Sequence, residues 1–240
     1  MNIKESIIAE TENWVAVNKP SGLLSIPDRM GKDISLKAIL KEAYGDIYTV
    51  HRIDKDTSGL IIFAKNEVAH KHLSRQFEDR QTRKIYQGLV IGSPAESAGS
   101  LDASIMEHPA LNGTMIIHRK GKEALTDYTV LEDFGIYSFL EFRIHTGRTH
   151  QIRVHMKDMG HPIVCDSLYG DGKPLLLSSI KSKFKLSKEE LEERPIMGRL
   201  ALHAFQLSFT DLCENTIDLE APLHKDMRAT LQQLGKRKKK

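Results

Sequence analysis

The chain has 240 residues, of which 40% are hydrophobic, so it is long enough to bury a sizeable core. No apolar run approaches the roughly 18 residues that span a bilayer, and Met1–Ser6 has no signal-peptide pattern. The two cysteines, Cys165 and Cys213, fit neither a disulfide framework nor a metal-binding spacing. We therefore expect a cytoplasmic globular protein that does not contact a membrane.

The basic residues are unevenly distributed along the chain. The net charge is +3, but the last five residues, 236–240, are all lysine or arginine. Without them the chain has 30 basic against 32 acidic residues, a net charge of −2. A polyanion would then be held by local cation clusters and by this basic tail. The alternative role for the tail is a disordered, solubilising end.

Predicted strands and helices alternate along the chain, which indicates an α+β fold. The predicted strands are Trp14–Asn18, Ile47–Val50, Leu60–Ala64, Lys84–Ile91, Thr126–Leu131, Ser138–His145, Arg199–Thr210 and Thr216–Glu220. The predicted helices are one capped by Asp33 and ended by Gly45, one capped by Asn66, then Thr149–Met159, Lys188–Arg194 and Leu223–Leu234. We expect a single domain over residues 1–235, with 173–198 as an insertion.

The run His51–Leu60 carries the first candidate for chemistry. It places Asp54 beside Arg52 on a turn between two predicted strands, where the geometry and charge of a carboxylate can be controlled. Taken alone, the run favours an ordinary turn in which Asp56 and its neighbours hydrogen-bond local backbone. Only further motifs can decide between a site and a turn.

Five further sequence blocks lie before and after this run. They are Val17–Leu24, Arg83–Val90, Thr146–His155, Gly160–Gly170 and Arg199–Ala204. With His51–Leu60, they resemble the RluA-type pseudouridine synthases, whose elements include HRLDxxTSGL, KxY, GRTHQIRVH and LHA. The resemblance covers roughly residues 14–210, with Ile53 in place of the family's leucine. It implies a mixed, mostly antiparallel sheet with flanking helices around a central RNA-binding cleft.

The resemblance assigns roles to four residues. Asp54 matches the essential aspartate, which attacks either the uracil ring or the anomeric carbon. Tyr86 matches the tyrosine that stacks on the uracil and acts at carbon 5, and Arg153 matches the arginine that pairs with the aspartate. Arg52 matches an arginine that can occupy the space left by a flipped base. The ordinary alternatives are a core tyrosine for Tyr86, a surface cation for Arg153 and a salt bridge or phosphate contact for Arg52.

Two further cations, Lys84 and Arg148, lie in basic clusters and are expected to bind RNA. The resemblance implies an isomerase that acts on large-subunit rRNA or tRNA without a cofactor, as a monomer with no obligatory protein partner. Only about a dozen residues precede the first predicted strand, so we expect the compact RluA/TruC-like form without an S4 domain.

Four histidines raise the question of a metal site. The intervals between His145, His150, His155 and His161 are 5, 5 and 6 residues, unlike the spacing of a zinc motif. We therefore expect no metal, and expect His150 and His155 to hold the helix of Arg153 by hydrogen bonds. Cys165 departs from the glycine that we expect there in much of the family.

Three other functions are compatible with parts of the sequence. The strongest is a catalytically inactive RNA-binding protein on the same scaffold. A protein-interaction module is the second. A phosphotransferase is suggested by His51–Asp54 and by Asp133–Gly135, but no glycine-rich phosphate loop precedes them.

Overall fold

The computed structural model describes residues 3–28, 33–181, 184 and 192–238. The described residues form two compact units. The first consists of residues within 1–86, 143–146 and 203–222, and the second of residues within 87–142, 147–202 and 223–240.

The secondary structure is a mixture of strands and short helices. The strands of the described residues are β1 (Ile7–Glu10), β2 (Trp14–Lys19), β3 (Tyr48–Thr49), β4 (Ser58–Ala64), β5 (Arg83–Ile91), β6 (Ala98–Asp102), β7 (Ile105–Glu107), β8 (Met115–Ile117), β9 (Leu125–Asp133), β10 (Tyr137–Ile144), β11 (Leu202–Thr210) and β12 (Thr216–Glu220). The helices are a 3-10 turn (Ile3–Ser6), α1 (Leu36–Tyr44), α2 (Glu67–Glu78), α3 (Gln151–Asp158), α4 (Leu177–Ile180) and α5 (Lys225–Lys238). The α+β class is confirmed, and each predicted strand overlaps an observed one.

The first unit is built on strand β4, which is buried along its whole length. It pairs antiparallel with β2 and, at its start, parallel with β11, which in turn pairs antiparallel with β12. Successive side chains of a strand point to opposite faces, so both faces of this sheet require cover. The α2-side core contains Trp14, Ala16, Leu60, Ile62, Ala69 and Leu73. The α1-side core contains Val15, Val17, Leu36, Leu40, Ile53, Ile61 and Phe63.

The two helices of the first unit begin at side-chain caps. Asn66 caps α2 as predicted, because its side chain accepts a hydrogen bond from the amide of Ala69. The predicted cap of α1, Asp33, is wrong. Ser35 caps this helix by accepting from the amide of Ala38, and Gly45 ends it as predicted.

The second unit contains two antiparallel strand pairs, β6 with β9 and β7 with β8. Helix α3 packs its Val154 against Ile105, Ala124 and Tyr169. This contact buries the inner face of the helix, which includes Arg153.

Two predictions fall partly outside the described residues. Of the predicted helix Lys188–Arg194, positions 188–191 are outside, and so are positions 239–240 of the basic tail. Positions 236–238 of the tail belong to α5, which is longer than the predicted Leu223–Leu234. Within the described ranges, no helix is both long and apolar enough to cross a membrane.

Candidate active site

The segment that carries Asp54 has no regular secondary structure and joins β3 to β4 in the first unit. The side chain of Asp54 is half-buried. The preceding residue, Ile53, is 7% exposed and belongs to the α1-side core. The hydroxyl of Ser25 donates to the carbonyl of Ile53 at 2.6 Å and accepts from its amide at 3.3 Å. The backbone on the N-terminal side of Asp54 is therefore held by both packing and hydrogen bonds.

A buried lysine holds the backbone on the other side of Asp54. Lys19 is fully buried, and its Nζ donates to the carbonyl oxygens of Pro20 (3.0 Å), Leu23 (2.7 Å) and Lys55 (2.9 Å). An ammonium group has three protons to donate, and burial of such a charge is costly unless it is hydrogen-bonded. No pattern in the sequence predicts this role for Lys19, since a lysine at the end of a strand is usually exposed.

Tyr86 lies on β5 and packs against the α1-side core, so it shares this environment with Ile53. Burial, and then the negative charge of Asp54, raise the pKa of its hydroxyl far above the ordinary value. The hydroxyl therefore keeps its proton at neutral pH. The charge effect also means that the structure brings together two residues that are 32 positions apart in the sequence.

His51 is a structural member of the same segment. Its Nε2 accepts a hydrogen bond from the amide of Ile62 at 3.1 Å, and its ring stacks on Phe77 with centroids 4.4 Å apart. Burial, and then the charge of Lys84, lower its pKa to about 3. The ring is therefore neutral and cannot exchange protons usefully near neutral pH.

Arg52 and Lys84 supply positive charge in the first unit. Arg52 is exposed, and Lys84 is half-buried with its Nζ 5.9 Å from the centroid of the Phe77 ring. In the described part of the chain neither residue forms an ion pair. Both cations are thus available to an anionic ligand, and their binding of RNA stays a prediction.

Strands β4 and β11 approach each other closely where the His51–Leu60 motif meets the Arg199–Ala204 motif. A Cβ on Gly59, which has φ +113°, would lie 2.2 Å from the carbonyl oxygen of Ala204, so only glycine fits. Beside it, the hydroxyl of Ser58 donates to Nδ1 of His203 at 2.9 Å, while His203 Nε2 donates to the carbonyl of Ala221 at 3.1 Å. These contacts explain why small and polar residues follow the Asp54 segment.

Arg153 lies on α3 in the second unit and is 2% exposed. Its Nε and one terminal nitrogen each donate to a carboxylate oxygen of Asp166 at 2.8 Å, and its guanidinium lies 5.0 Å from the ring centroid of Tyr169. The buried position of Arg153 rules out the alternative of a surface cation. Its pairing with Asp54 stays a prediction, while Asp166 is a partner that the sequence analysis missed.

Arg148 precedes α3 and is half-buried. Its Nε donates to the carbonyl oxygen of Glu123 at 2.9 Å, and its amide donates to the side chain of Gln151 at 3.0 Å. It therefore anchors the loop that leads into the helix. Its predicted contact with RNA stays a prediction.

His155 holds α3 to the sheet by a chain of hydrogen bonds. The side-chain Nε2 of Gln151 donates to the hydroxyl of Thr126 at 2.9 Å, and this hydroxyl donates to Nδ1 of His155 at 3.0 Å. Nε2 of His155 then donates to the carbonyl of Ala103 at 3.0 Å. His150 hydrogen-bonds the hydroxyl of Tyr169 at 2.8 Å. Among the described residues, no three histidine, cysteine or acidic side chains are grouped so as to hold a metal ion.

Cys165 occupies the position where glycine is expected by resemblance. Its φ is +60°, a left-handed conformation that glycine adopts without strain. The local turn therefore keeps the glycine-like conformation despite the side chain.

The buried pair of Arg153 and Asp166 gives a stability prediction. Burial raises the pKa of Asp166, but the hydrogen bonds and the charge of Arg153 outweigh it and hold the pKa below 3.8. Asp166→Asn removes the carboxylate that accepts two hydrogen bonds from a buried guanidinium, so we expect the free energy of unfolding to fall by about 3–5 kcal/mol at pH 7. Urea unfolding measures this loss.

A second bidentate pair provides the control. Arg199 and Asp226 have the same geometry at 2.6 and 2.7 Å, but their side chains are 19% and 34% exposed. Asp226→Asn should cost about 1 kcal/mol or less. Because the carboxylate form of Asp166 stabilises the fold, the loss in Asp166→Asn should shrink as the pH falls below 3.8. Equal losses in the two variants at pH 7 would contradict the role given to burial.

Comparison with known proteins places these features in a family. A family model described as RNA pseudouridylate synthase matches residues 13–158. An uncharacterized RNA pseudouridine synthase of Aquifex aeolicus is 40% identical over 220 residues, which is 87% of this chain and 66% of that protein. The ribosomal large subunit pseudouridine synthase D of Haemophilus ducreyi is 33% identical over 240 residues, 97% of this chain and 71% of that protein.

Solved structures agree with these matches. The structure of human RNA pseudouridylate synthase domain containing 4 superimposes with a TM-score of 0.74 at 26% identity, covering 97% of this chain and 94% of that one. The chain spans 66%, 55% and 57% of the lengths of three similar curated relatives. Since the family model covers more than half of the residues, the chain belongs to the RNA pseudouridylate synthase family.

Proposed function

We propose that this chain isomerises specific uridines in RNA to pseudouridine, with Asp54 as the essential residue. One observation carries the proposal. The carboxylate of Asp54 lies on a segment whose backbone is fixed on both sides, and its charge acts on the hydroxyl of Tyr86. A fixed carboxylate beside an aromatic ring suits a reaction that attacks and then holds a flat base.

The reaction moves one bond and one proton. The bond from the ribose anomeric carbon to nitrogen 1 of uracil breaks, and a bond from the same carbon to carbon 5 forms. Carbon 5 loses a proton and nitrogen 1 gains one, so the product is an isomer of the substrate. No electron and no external group is exchanged, and we propose that no cofactor is used. Asp54 attacks the uracil ring or the anomeric carbon, and both routes need its carboxylate form.

Tyr86 provides a stacking surface and a hydroxyl. Because its pKa is raised, the hydroxyl is a proton donor in the resting protein. If it takes the proton from carbon 5, it must first pass its own proton to another acceptor. Asp54 is the nearby carboxylate whose charge already acts on it. We propose that Asp54 accepts this proton after the bond to carbon 5 has formed and its carboxylate is free again. Asp54 then releases the proton to water and returns to its ionised form.

The remaining predicted residues serve RNA binding and charge balance. Arg52 is exposed and can stack in the space that a flipped uridine leaves. Lys84 and Arg148 contact the RNA backbone in this proposal. Arg153 keeps the aspartate ionised, since a carboxylate in a site that excludes water needs a cationic neighbour.

The proposed substrate is large-subunit rRNA, with tRNA as the other candidate. The similarity to a protein named as a ribosomal large subunit pseudouridine synthase supports the first choice. We further propose that residues 1–235 act as one catalytic domain, as a monomer and in the cytoplasm.

Release of tritium from RNA labelled at carbon 5 of uridine tests the proposed activity. Forming the new carbon–carbon bond removes the label, so the purified protein should release tritium from an unmodified large-subunit rRNA transcript. Binding of rRNA and tRNA transcripts without release from either would support the inactive RNA-binding protein instead.

A further inference from the structure

A strained arginine follows the C-terminus of helix α2. The amide of Gln81 donates to the carbonyl of Gln76 at 2.8 Å, and the amide of Arg80 donates to that of Phe77 at 3.4 Å. This is the Schellman pattern of helix ends, in which the first residue beyond the cap is left-handed and is usually glycine. Here that residue is Arg80, with φ +58°. Residues with side chains are strained in this conformation.

The same place concentrates positive charge. Arg80 and Arg83 are exposed, and Lys84 is half-buried beside them. Burial, and then the charge of Arg80, lower the pKa of Lys84, so the two cations act on each other. In the described ranges, none of these three residues forms an ion pair. The acid next to them, Asp79, is paired with Arg75 at 3.4 Å.

The simplest alternative is that these cations stabilise the helix end. Positive charges interact favourably with the carbonyl end of a helix. This effect does not require an arginine at the strained position, because glycine there would remove the strain and leave Lys84 and Arg83 in place. Two like charges that form no ion pair within the described ranges are better explained by an anion that binds between them.

We propose that Arg80 and Lys84 form a subsite for a backbone phosphate of the RNA substrate, and that Arg80 is kept there at a cost in stability. The inference rests on the proposed RNA substrate and adds a contact outside the Asp54 site. An RNA phosphate suits a guanidinium, which presents several donors in one plane, beside an ammonium group that acts as a point charge. Lys84 also lies close to the Asp54 segment, since its Nζ is 5.9 Å from the centroid of the Phe77 ring, on which His51 stacks.

The subsite predicts opposite effects on stability and on binding for one substitution. Arg80→Gly relieves the strain and should raise Tm by about 2–4 °C. The same change should weaken binding of a labelled single-stranded RNA about three- to tenfold at low salt. The slope of log affinity against log salt should become shallower by about 0.7, the value for one lost phosphate contact. Thermal unfolding and fluorescence anisotropy measure the two effects.

Matched variants separate the subsite from a general loss of charge. Arg80→Lys keeps the charge and should retain most of the salt slope. Arg75 lies on the same helix but is paired with Asp79. Arg75→Ala should therefore leave the RNA affinity and the salt slope unchanged. Asparagine tolerates the left-handed conformation, so Arg80→Asn repeats the test if the glycine variant does not fold or is poorly soluble.

Two results would overturn the subsite. Unchanged RNA affinity and slope in Arg80→Gly and Arg80→Asn would leave Arg80 as a surface charge only. An equal loss of affinity in Arg75→Ala would mean that overall charge is responsible. Failure of the subsite is separate from failure of the proposed activity, because tritium release by the unsubstituted protein does not depend on the outcome for Arg80.

Discussion

Asp54→Asn should lower pseudouridine formation by about three orders of magnitude or more, with little change in stability or RNA affinity. Asparagine keeps the size and polarity of the side chain but cannot act as a nucleophile. Ser25 and Lys19 hold the backbone of this segment through main-chain carbonyl oxygens, which the substitution does not change, so the fold should remain intact. Tritium release at saturating RNA measures turnover, and thermal unfolding and anisotropy measure the other two quantities.

Asp56 is the matched control for this prediction. It is also half-buried and lies two positions further along the same segment, where its carbonyl oxygen accepts a hydrogen bond from Ser21 at 2.5 Å. Asp56→Asn should keep most of the turnover. The assignment of the essential residue is wrong if Asp54→Asn keeps near-normal turnover, or if both variants lose activity equally.

Tyr86→Phe should lower turnover by about 100-fold or more while RNA affinity stays close to normal. The ring remains and can still stack on uracil, but the hydroxyl that responds to the charge of Asp54 is lost. A tyrosine that only packed the core would show the reverse pattern, with lower stability and unchanged turnover.

Tyr44 allows the two interpretations of Tyr86 to be separated. It packs against the same α1-side core, and its hydroxyl donates to Glu10 at 2.6 Å. Burial, and then the hydrogen bond and the charge of Glu10, raise its pKa to about 12. Tyr44→Phe should therefore lose a polar contact of a tyrosine in the same core without any effect on turnover. Full activity in Tyr86→Phe would remove its hydroxyl from the mechanism.

The sequence predicted the central strands of the first unit well because their pattern is local. Within strand β4, Leu60–Ala64 is a continuous apolar run, which is typical of a strand buried on both faces. The cap of α2 was also predictable, since Asn66 directly precedes the helix. The cap of α1 was not, because Asp33 and Ser35 are both good caps by type. Tertiary contact decides between them: the amide of Leu36 donates to the carbonyl of Leu24 at 2.8 Å and fixes where the helix begins.

Residues whose partners are distant in the sequence were beyond prediction. Lys19 reaches a carbonyl 36 positions away, and no local pattern marks a lysine that will be buried. Asp166 stood within a motif, but its pairing with Arg153 depends on how α3 packs. The motif resemblance thus located Asp54 and Tyr86, whereas the groups that hold Asp54 and Arg153 required the structure.

Mapping of pseudouridine in cellular RNA tests the central claim most directly. RNA from cells that lack this gene should lose pseudouridine at one or a few defined uridines, in large-subunit rRNA or in tRNA. A plasmid copy of the unsubstituted protein should restore the modification, and a copy with Asp54→Asn, expressed at the same level, should not. An unchanged pseudouridine map in the deleted strain, or full restoration by Asp54→Asn, would contradict the proposed function.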